Sequence, residues 1–294
     1  MTQFIEENIQ SNLYMRFSVK EKLFSGKSDF QKVEIVETTG HGRMLLNDDL
    51  VMLSERDEHI YHEMIVHVPL FTHPNPQKVL VIGGGDGGTV REVLKHRNVQ
   101  QCVLVEIDAM VVDACKKYIP QTADCLSNPR AKVLIQDGVK FLAETKERFD
   151  VIIVDSTDPI GPAAPLFGED FYRNVYRVLS ETGLVVAQGE SPFYHEENQR
   201  SLIRTIASQF EVVHFYNFTN MCYPGGLWSF AYGSKGICPV SDFNPNRVQR
   251  ANIPFQYYNE ELHIGAFLLP EFMRKKYSNW LTAFQDENSD HNED

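Results

Sequence analysis

The sequence predicts an α/β protein: a doubly wound, mostly parallel Rossmann-like sheet preceded by a small N-terminal antiparallel β domain. Three observations carry this. From Lys78 onward, short β-branched runs (KVLVI, CVLVEI, KVLIQ, DVIIVD, GLVVAQ) alternate with helix-like stretches such as VREVLKH, VVDACKKYI and FYRNVYRVL. The first run leads into a glycine-rich turn, VIGGGDGGTV, Val81 to Val90. Before Lys78 the texture differs: VEIVETTG, GRMLLNDD and LVMLSE are β-like runs broken by Thr-Gly, His-Gly and Asn-Asp turns.

The elements follow in order. Val33 to Leu53 reads as a small antiparallel sheet, too small to stand alone. Ser54 with Asp57 resembles a capping box, and Ile60, Met64, Ile65 and Val68 recur at helical spacing, so a helix leads out of that sheet. HPNPQ, with two prolines, marks the boundary. This divides the chain into residues 1–72 (small β domain and linking helix), 73–283 (α/β domain) and 284–294, an acidic aperiodic tail expected to be disordered. The late runs VVHFYNF and WSFAYGS are expected to pair antiparallel at the sheet's end, as in nucleoside-binding methyltransferase-type sheets.

Bulk properties narrow the partners. The chain has 294 residues and a net charge of −12, which argues against nucleic acid or an anionic membrane as the main partner. A cationic substrate suits it better, although acidity also serves solubility. Five cysteines, spread out and without a C-x-x-C pair, indicate neither a disulfide framework nor a zinc site. The N-terminus lacks a basic and apolar leader, and no apolar run reaches membrane-spanning length, so the expected location is the cytoplasm.

In doubly wound sheets, ligands bind outside the carboxyl ends of the strands. Those ends here carry Asp86, then Glu106 and Asp108, Asp137 and Gly138, Asp155 and Asp158, and Gln188 and Glu190. Gly83, Gly85 and Gly88 satisfy G-x-G-x-x-G, and Glu106 stands near the distance of a ribose-binding acid. A dinucleotide pyrophosphate would then meet Asp86: two unit charges about 4 Å apart repel by ~1 kcal/mol in water and by about 4 kcal/mol at an effective dielectric near 20. A nucleoside with a cationic side chain removes the conflict. The glycines permit close approach, Glu106 accepts from ribose hydroxyls and Asp137 from an adenine amine, which points to an S-adenosyl sulfonium compound. Each residue also has a plain structural use, Asp86 as a helix N-cap above all; the inference rests on the set.

DSTDPIGPAAPLF adds two carboxylates three apart and a Pro/Gly-rich stretch, without helical period, that reads as a lid. With Asp86, the pocket holds three carboxylates, which suits an extended diammonium acceptor such as a polyamine.

The motifs FQKVEIVET, SERDEHIYHEM, HPNPQKVLVIGGGDGGTVREVLKH, VEID, QDG, DVIIVDSTDPIGPA, QGE, YPGG and YYNEELHIGAFLLPEF run in order from about Phe30 to Phe272. On these the chain resembles the polyamine aminopropyltransferases, the spermidine synthases in particular. The resemblance implies transfer of an aminopropyl group from decarboxylated S-adenosylmethionine, a co-substrate, to putrescine, with no further cofactor and no metal. It implies that Gln31, Glu106, Asp137, Gly138 and Pro162, beside Gly83 and Gly85, meet the donor nucleoside, and that Asp86 receives the aminopropyl ammonium. It further implies that Tyr61, His62, Gln188 and Tyr223 face the polyamine, together with Asp155, Ser156, Thr157 and Asp158, with Asp155 as proton acceptor assisted by Tyr61. Where the family has Glu-Ser and Tyr-Pro-Ser-Gly, this chain has Ala164-Pro165 and Tyr223-Pro224-Gly225-Gly226, which bears on the lid and on acceptor length.

Other acceptors (spermidine, agmatine, cadaverine), a methyltransferase sharing the nucleoside pocket, and a non-catalytic adenosine-binding protein are the competing readings. Exposed edges of the small sheet, with the family resemblance, imply a homodimer or homotetramer. Asp86→Asn is expected to weaken selection for the decarboxylated donor over the intact one; an unchanged ratio of kcat/KM for the two donors counts against that role.

Overall fold

The computed structural model describes residues 3–10, 13–159 and 161–284, so most of the acidic tail lies outside the described residues. An N-terminal sheet runs in the order β1 (Gln3–Gln10), β2 (Leu13–Lys27), β3 (Lys32–Thr38), β4 (Arg43–Asn47), β5 (Leu50–Ser54), antiparallel throughout. The sequence pattern locates only β3 to β5. The hairpin of β1 and β2 lies outside that stretch, although Leu13, Met15, Phe17 and Val19 alternate with the less buried Tyr14, Arg16, Ser18 and Lys20; no Gly or Pro stands between Gln3 and Ser25 to punctuate it. The β4–β5 turn sets both Asp48 and Asp49 at positive φ (48° and 68°), the backbone a tight hairpin requires.

Helix α1 (Glu58–Thr72) follows, as expected, but the capping box does not form. Asp57 holds the N-cap position, its carbonyl accepting the Ile60 N–H (3.0 Å), but its side chain bonds no helix amide. Its carboxylate instead accepts from Ser54 Oγ and from the backbone N–H groups of Met221 (2.9 Å) and Cys222 (3.0 Å). A local cap is thus exchanged for a tether on a loop more than 160 residues away. The helix is buried on nearly every side, so its polar residues need partners of their own. Glu63, fully buried, accepts the N–H groups of Gln256, Tyr257 and Tyr258, each at 2.8 Å.

The second sheet contains β6 (Lys78–Gly83), β7 (Gln101–Glu106), β8 (Ala131–Ile135), β9 (Phe149–Asp155), β10 (Leu179–Gln188), β11 (Val212–Thr219) and β12 (Leu227–Ser234). Its order is β11-β12-β10-β9-β6-β7-β8, with β12 antiparallel to both neighbours and the rest parallel. The expected terminal antiparallel pair is therefore present. Alternate residues of each central strand feed two cores: Val79, Val81, Val151 and Ile153 pack with α1, while Leu80, Ile82, Ile152 and Val154 pack on the opposite face. Crossovers run through α2 (Gly88–Lys95), α3 (Ala109–Tyr118), α4 (Pro120–Ala123), α5 (Gly138–Glu144), α6 (Glu169–Val178) and α7 (Glu196–Ala207); α8 (Pro245–Ala251), α9 (Glu260–Ala266) and α10 (Glu271–Tyr277) complete the chain. The chain order switches between β6 and β9, where Gly83 and Asp155 are register partners, and loops diverging from adjacent strands open a crevice there. The lid stretch, expected to be irregular, is a 3₁₀ helix over Gly161–Phe167; its tighter three-residue turn escapes a search for a period of 3.6.

Glu63→Ala removes the acceptor of three N–H groups, the Tyr258 one buried, and is expected to cost about 3 kcal/mol of unfolding free energy, read as a lower denaturant midpoint; an unchanged midpoint would show that water replaces the carboxylate.

Candidate active site

A cavity of about 310 Å³ follows the carboxyl edge of the parallel sheet and is covered by the N-terminal sheet through Glu7, Asn47, Val51 and Met52. Three regions follow the strand order. Glu106 and Asp137 stand at the ends of β7 and β8, Asp86 and Asp155 at the β6/β9 switch, and Asp158 and Gln188 beyond β9 and β10, with Glu190 buried behind them and outside the lining. The structure brings the whole predicted set to this one cavity, save that the side chain of Pro162 lies outside the described residues.

At the β7 end, Glu106 is buried and accepts the N–H groups of Gly85 (3.1 Å) and Asp108 (2.9 Å). Burial pushes its carboxyl up to about 7, although these N–H groups pull the other way. A Cβ on residue 85 would come within 2.9 Å of the Glu106 side chain, so this glycine makes room for the protein's own acid as well as for a ligand. Gln31 Nε2 donates to Asp108 Oδ2 (3.1 Å), and Asp137 Oδ1 caps α5 through the N–H of Val139 (2.8 Å), its other oxygen making no hydrogen bond among the described residues.

At the switch, Asp155 Oδ1 accepts from the Tyr61 hydroxyl (2.8 Å) and Oδ2 from Thr89 Oγ1 (2.6 Å). Burial and then the Asp86 charge raise the Asp155 pKa. The Tyr61 phenol, buried beside carboxylates, stays protonated and donates. Asp86 Oδ1 accepts the Gly88 N–H (2.8 Å) and faces His62 Nε2 at 3.3 Å, while His62 Nδ1 lies 2.6 Å from Glu58 Oε2. Burial would raise Asp86, but His62 and the Gly88 N–H hold it below the ordinary carboxylate range. His62, Asp86 and Asp155 offer ligand atoms within 4.8 Å of one another, a spacing a metal ion could also use. Both ring nitrogens of His62 face carboxylates, however, so the ring is a two-proton donor with no lone pair left for a metal.

Beyond β9, Gln188 Nε2 donates to Asp158 Oδ1 (3.3 Å), and burial with the nearby Glu190 charge pushes Asp158 up to about 6. Glu190 sits in left-handed backbone (φ 61°), and its Oε2 lies 2.9 Å from His195 Nδ1, close enough to pair though poorly aimed for a hydrogen bond. Tyr223 is half-buried, its hydroxyl donating to the Met52 carbonyl (2.5 Å). Ser156 Oγ and Trp228 Nε1 are buried without a hydrogen-bond partner in the cavity wall, and polar atoms so placed are ordinarily matched by a ligand or water. Sequence reasoning missed Glu7, Glu58, Thr89, His195 and Trp228. Glu58 and Thr89 lie inside the motifs that were read, each three residues from a residue singled out (Tyr61 and Asp86); Glu7 sits on a strand without a pattern.

A nucleoside-type pocket joined to a chain of acids at a sheet switch point defines a transferase that handles a cationic nucleoside and a cationic acceptor. Residues 58–244 match the spermine/spermidine synthase domain and residues 3–55 the spermidine synthase tetramerisation domain. A polyamine aminopropyltransferase of Caldicellulosiruptor saccharolyticus is 46% identical over 94% of this chain and 98% of its own. That of Thermotoga maritima is 42% identical over 93% of each. Among solved structures, a spermidine synthase in complex with the transition state analogue AdoDATO is similar with a TM-score of 0.92 and 41% identity, covering 94% of this chain and 95% of that one. The spermidine synthase from Thermotoga maritima gives 0.89 and 40%, covering 94% of each. The chain belongs to the spermine/spermidine synthase family and is a polyamine aminopropyltransferase.

The raised Glu106 carboxyl makes a stability test. Below an unfolded carboxyl near 4.5 the buried group is protonated and uncharged in both states; stability is lost as pH rises from there through about 7, where the folded group ionises. Glu106→Gln, without ligand, is therefore expected to be more stable than the parent by roughly 2 kcal/mol at about pH 8.5 and little different near pH 5; equal melting temperatures at the higher pH would refute the burial cost.

Proposed function

We propose that the protein is a spermidine synthase: it moves the aminopropyl group of decarboxylated S-adenosylmethionine to putrescine, giving spermidine and methylthioadenosine, with no further cofactor. The observation that carries the reading is the pair Asp86 and Asp155 at the switch point, between a nucleoside end and a second acidic end. The family's solved relatives support it, since both carry the name spermidine synthase and one holds AdoDATO.

The donor lies with its ribose hydroxyls on Glu106 and its adenine toward Asp137, beside Gln31 and Gly138, and its aminopropyl ammonium meets the free oxygen of Asp86. Putrescine extends past Tyr61 and Tyr223 toward Gln188 and Asp158, with Ser156 and Thr157 in the wall. Its distal ammonium enters the field of Asp158, Glu190 and Glu7, which is also pushed up to about 7 by burial. Ligand cations there draw Asp158 and Glu7 back to the charged form.

The attacking amine must first be neutral. An alkylamine with a pKa of ~10.4 pays about 4 to 5 kcal/mol for this at neutral pH. A carboxylate is a weaker base than an alkylamine, so Asp155 accepts the proton while aiming the nitrogen lone pair rather than acting as a strong base. Tyr61 and Thr89 fix its two oxygens. Nitrogen then bonds to the propyl carbon next to sulfur as the C–S bond breaks, the bonding pair stays on sulfur and neutral methylthioadenosine leaves. The positive charge passes from sulfonium to the new secondary ammonium.

The tetramerisation domain supports an oligomer; we assign a homotetramer or homodimer, and five free thiols fit the reducing cytoplasm. A longer acceptor remains the second reading, because Ala164-Pro165 alters the lid beside Ala163 and Leu166 in the cavity wall.

Offered putrescine, cadaverine, agmatine and spermidine in competition, the enzyme is expected to aminopropylate putrescine fastest, with methylthioadenosine detected by mass spectrometry. Asp155→Asn should lose most turnover yet keep methylthioadenosine binding; parent-like turnover in that variant would sink the assignment.

A further inference from the structure

Behind Asp86 the cavity wall is a row of alternating charges. Arg91 of α2 donates from both terminal nitrogens of its guanidinium to the two carboxylate oxygens of Glu58 of α1, at 2.8 Å and 2.9 Å. Glu58 faces His62 Nδ1 at 2.6 Å, and His62 Nε2 faces Asp86 at 3.3 Å. Cation, anion, cation and anion follow one another through side chains that are largely or fully buried. The ring reaches its place because residue 88 is glycine: a Cβ there would lie 2.1 Å from His62 Cε1. Arg91 is itself held by Glu92 Oε1 (2.8 Å), so its fork is aimed before any substrate arrives.

We propose that Glu58 and Arg91 are positioning residues of the reaction centre: they keep His62 a donor at both ring nitrogens, so that one oxygen of Asp86 is fixed and the other stays open to the substrate ammonium. This rests on the aminopropyl-transfer reading for its kinetic consequence, though not for its structural one. A neutral imidazole has one N–H. With that proton shared with Glu58, Nε2 would turn its lone pair on Asp86 Oδ1, and the carboxylate would swing away from the pose set by the Gly88 N–H.

Burial alone favours the neutral ring; the Asp86 and Glu58 carboxylates overturn this and carry His62 up to about 10. Glu58, which burial would raise, is held at about 2 by His62 and Arg91 and so keeps its charge throughout the working range. The groups facing the ring are Glu58 from its own helix, Asp86 from the glycine loop, Asp155 from the end of β9 and the protonated Tyr61 phenol beside it, with Arg91 one step behind Glu58. Removing the Glu58 charge leaves Asp86 as the one anion in contact with the ring.

Glu58→Gln keeps an acceptor for Nδ1–H and removes only the charge. Nitrogen-15 NMR of the histidine rings, with His62 identified by its absence in His62→Asn, is expected to show a doubly protonated ring in the parent up to about pH 9 and loss of one proton at least about one unit lower in Glu58→Gln. In the same variant kcat/KM for the decarboxylated donor should fall roughly tenfold above neutral pH and recover as the pH is lowered. Arg91→Gln frees the Glu58 carboxylate to turn away from Nδ1 and should move both readouts in the same direction by less, since loss of the Arg91 charge itself works the other way; it serves as the test should Glu58→Gln not fold. An unchanged His62 titration, or a loss of activity equal at every pH, overturns the proposal in favour of simple packing. Because the ring titration needs neither donor nor acceptor, failure of this inference is distinguishable from failure of the assigned reaction.

Discussion

Asp86 and Asp155 come together because β6 and β9 are adjacent parallel strands whose following loops diverge, and Gly83 pairs in register with Asp155 itself. Two carboxylates this close in a largely enclosed place repel each other unless each is met separately. Tyr61 and Thr89 meet one, His62 and Gly88 the other. Every one of these partners comes from α1 or α2 or the turn between β6 and α2, so the placement of those helices against the switch is the condition on which the site depends. α1 is accordingly pinned at its start by Asp57, which bonds the loop before Tyr223, and midway by Glu63 under the C-terminal segment.

The site is built against the stability of the unliganded fold. Glu7, Glu106 and Asp158 are all raised by burial, which means the protein holds charges that it would shed but for a cationic ligand. The offset comes from elsewhere, in two apolar cores on the two faces of the parallel sheet. Substrate cations then draw these carboxyls back to the charged form at positions the fold has already fixed, so binding moves protons more than it moves side chains.

The α/β half was legible because its strands are buried on both faces and end in chemistry: KVLVI before GGGDGG and DVIIVD before STD announce a strand and a site together. Less could be read where a residue's role is set by a distant partner. Asp57 looks like a cap by spacing, yet its carboxylate serves Met221 and Cys222, which no local pattern could show. β1 and β2 do alternate, with Leu13, Met15, Phe17 and Val19 on the more buried face, but no glycine or proline punctuates them, so the hairpin lacks a turn signal. Glu58 and Thr89 stand in plain view within recognised motifs, but their importance lies in a distant partner, Arg91 of α2 for Glu58 and Asp155 at the end of β9 for Thr89.

Glu7 joins two halves of the molecule that are otherwise easily described apart. It lies on β1, within the segment that matches a tetramerisation domain, and its carboxylate both accepts the Val51 N–H and lines the cavity. The first strand is therefore a wall of the substrate chamber as well as a part of the assembly module. Sliding this strand by one residue against β2 would turn Glu7 to the opposite face and remove a charge from the chamber, so the register of the first hairpin and the charge of the chamber are set together.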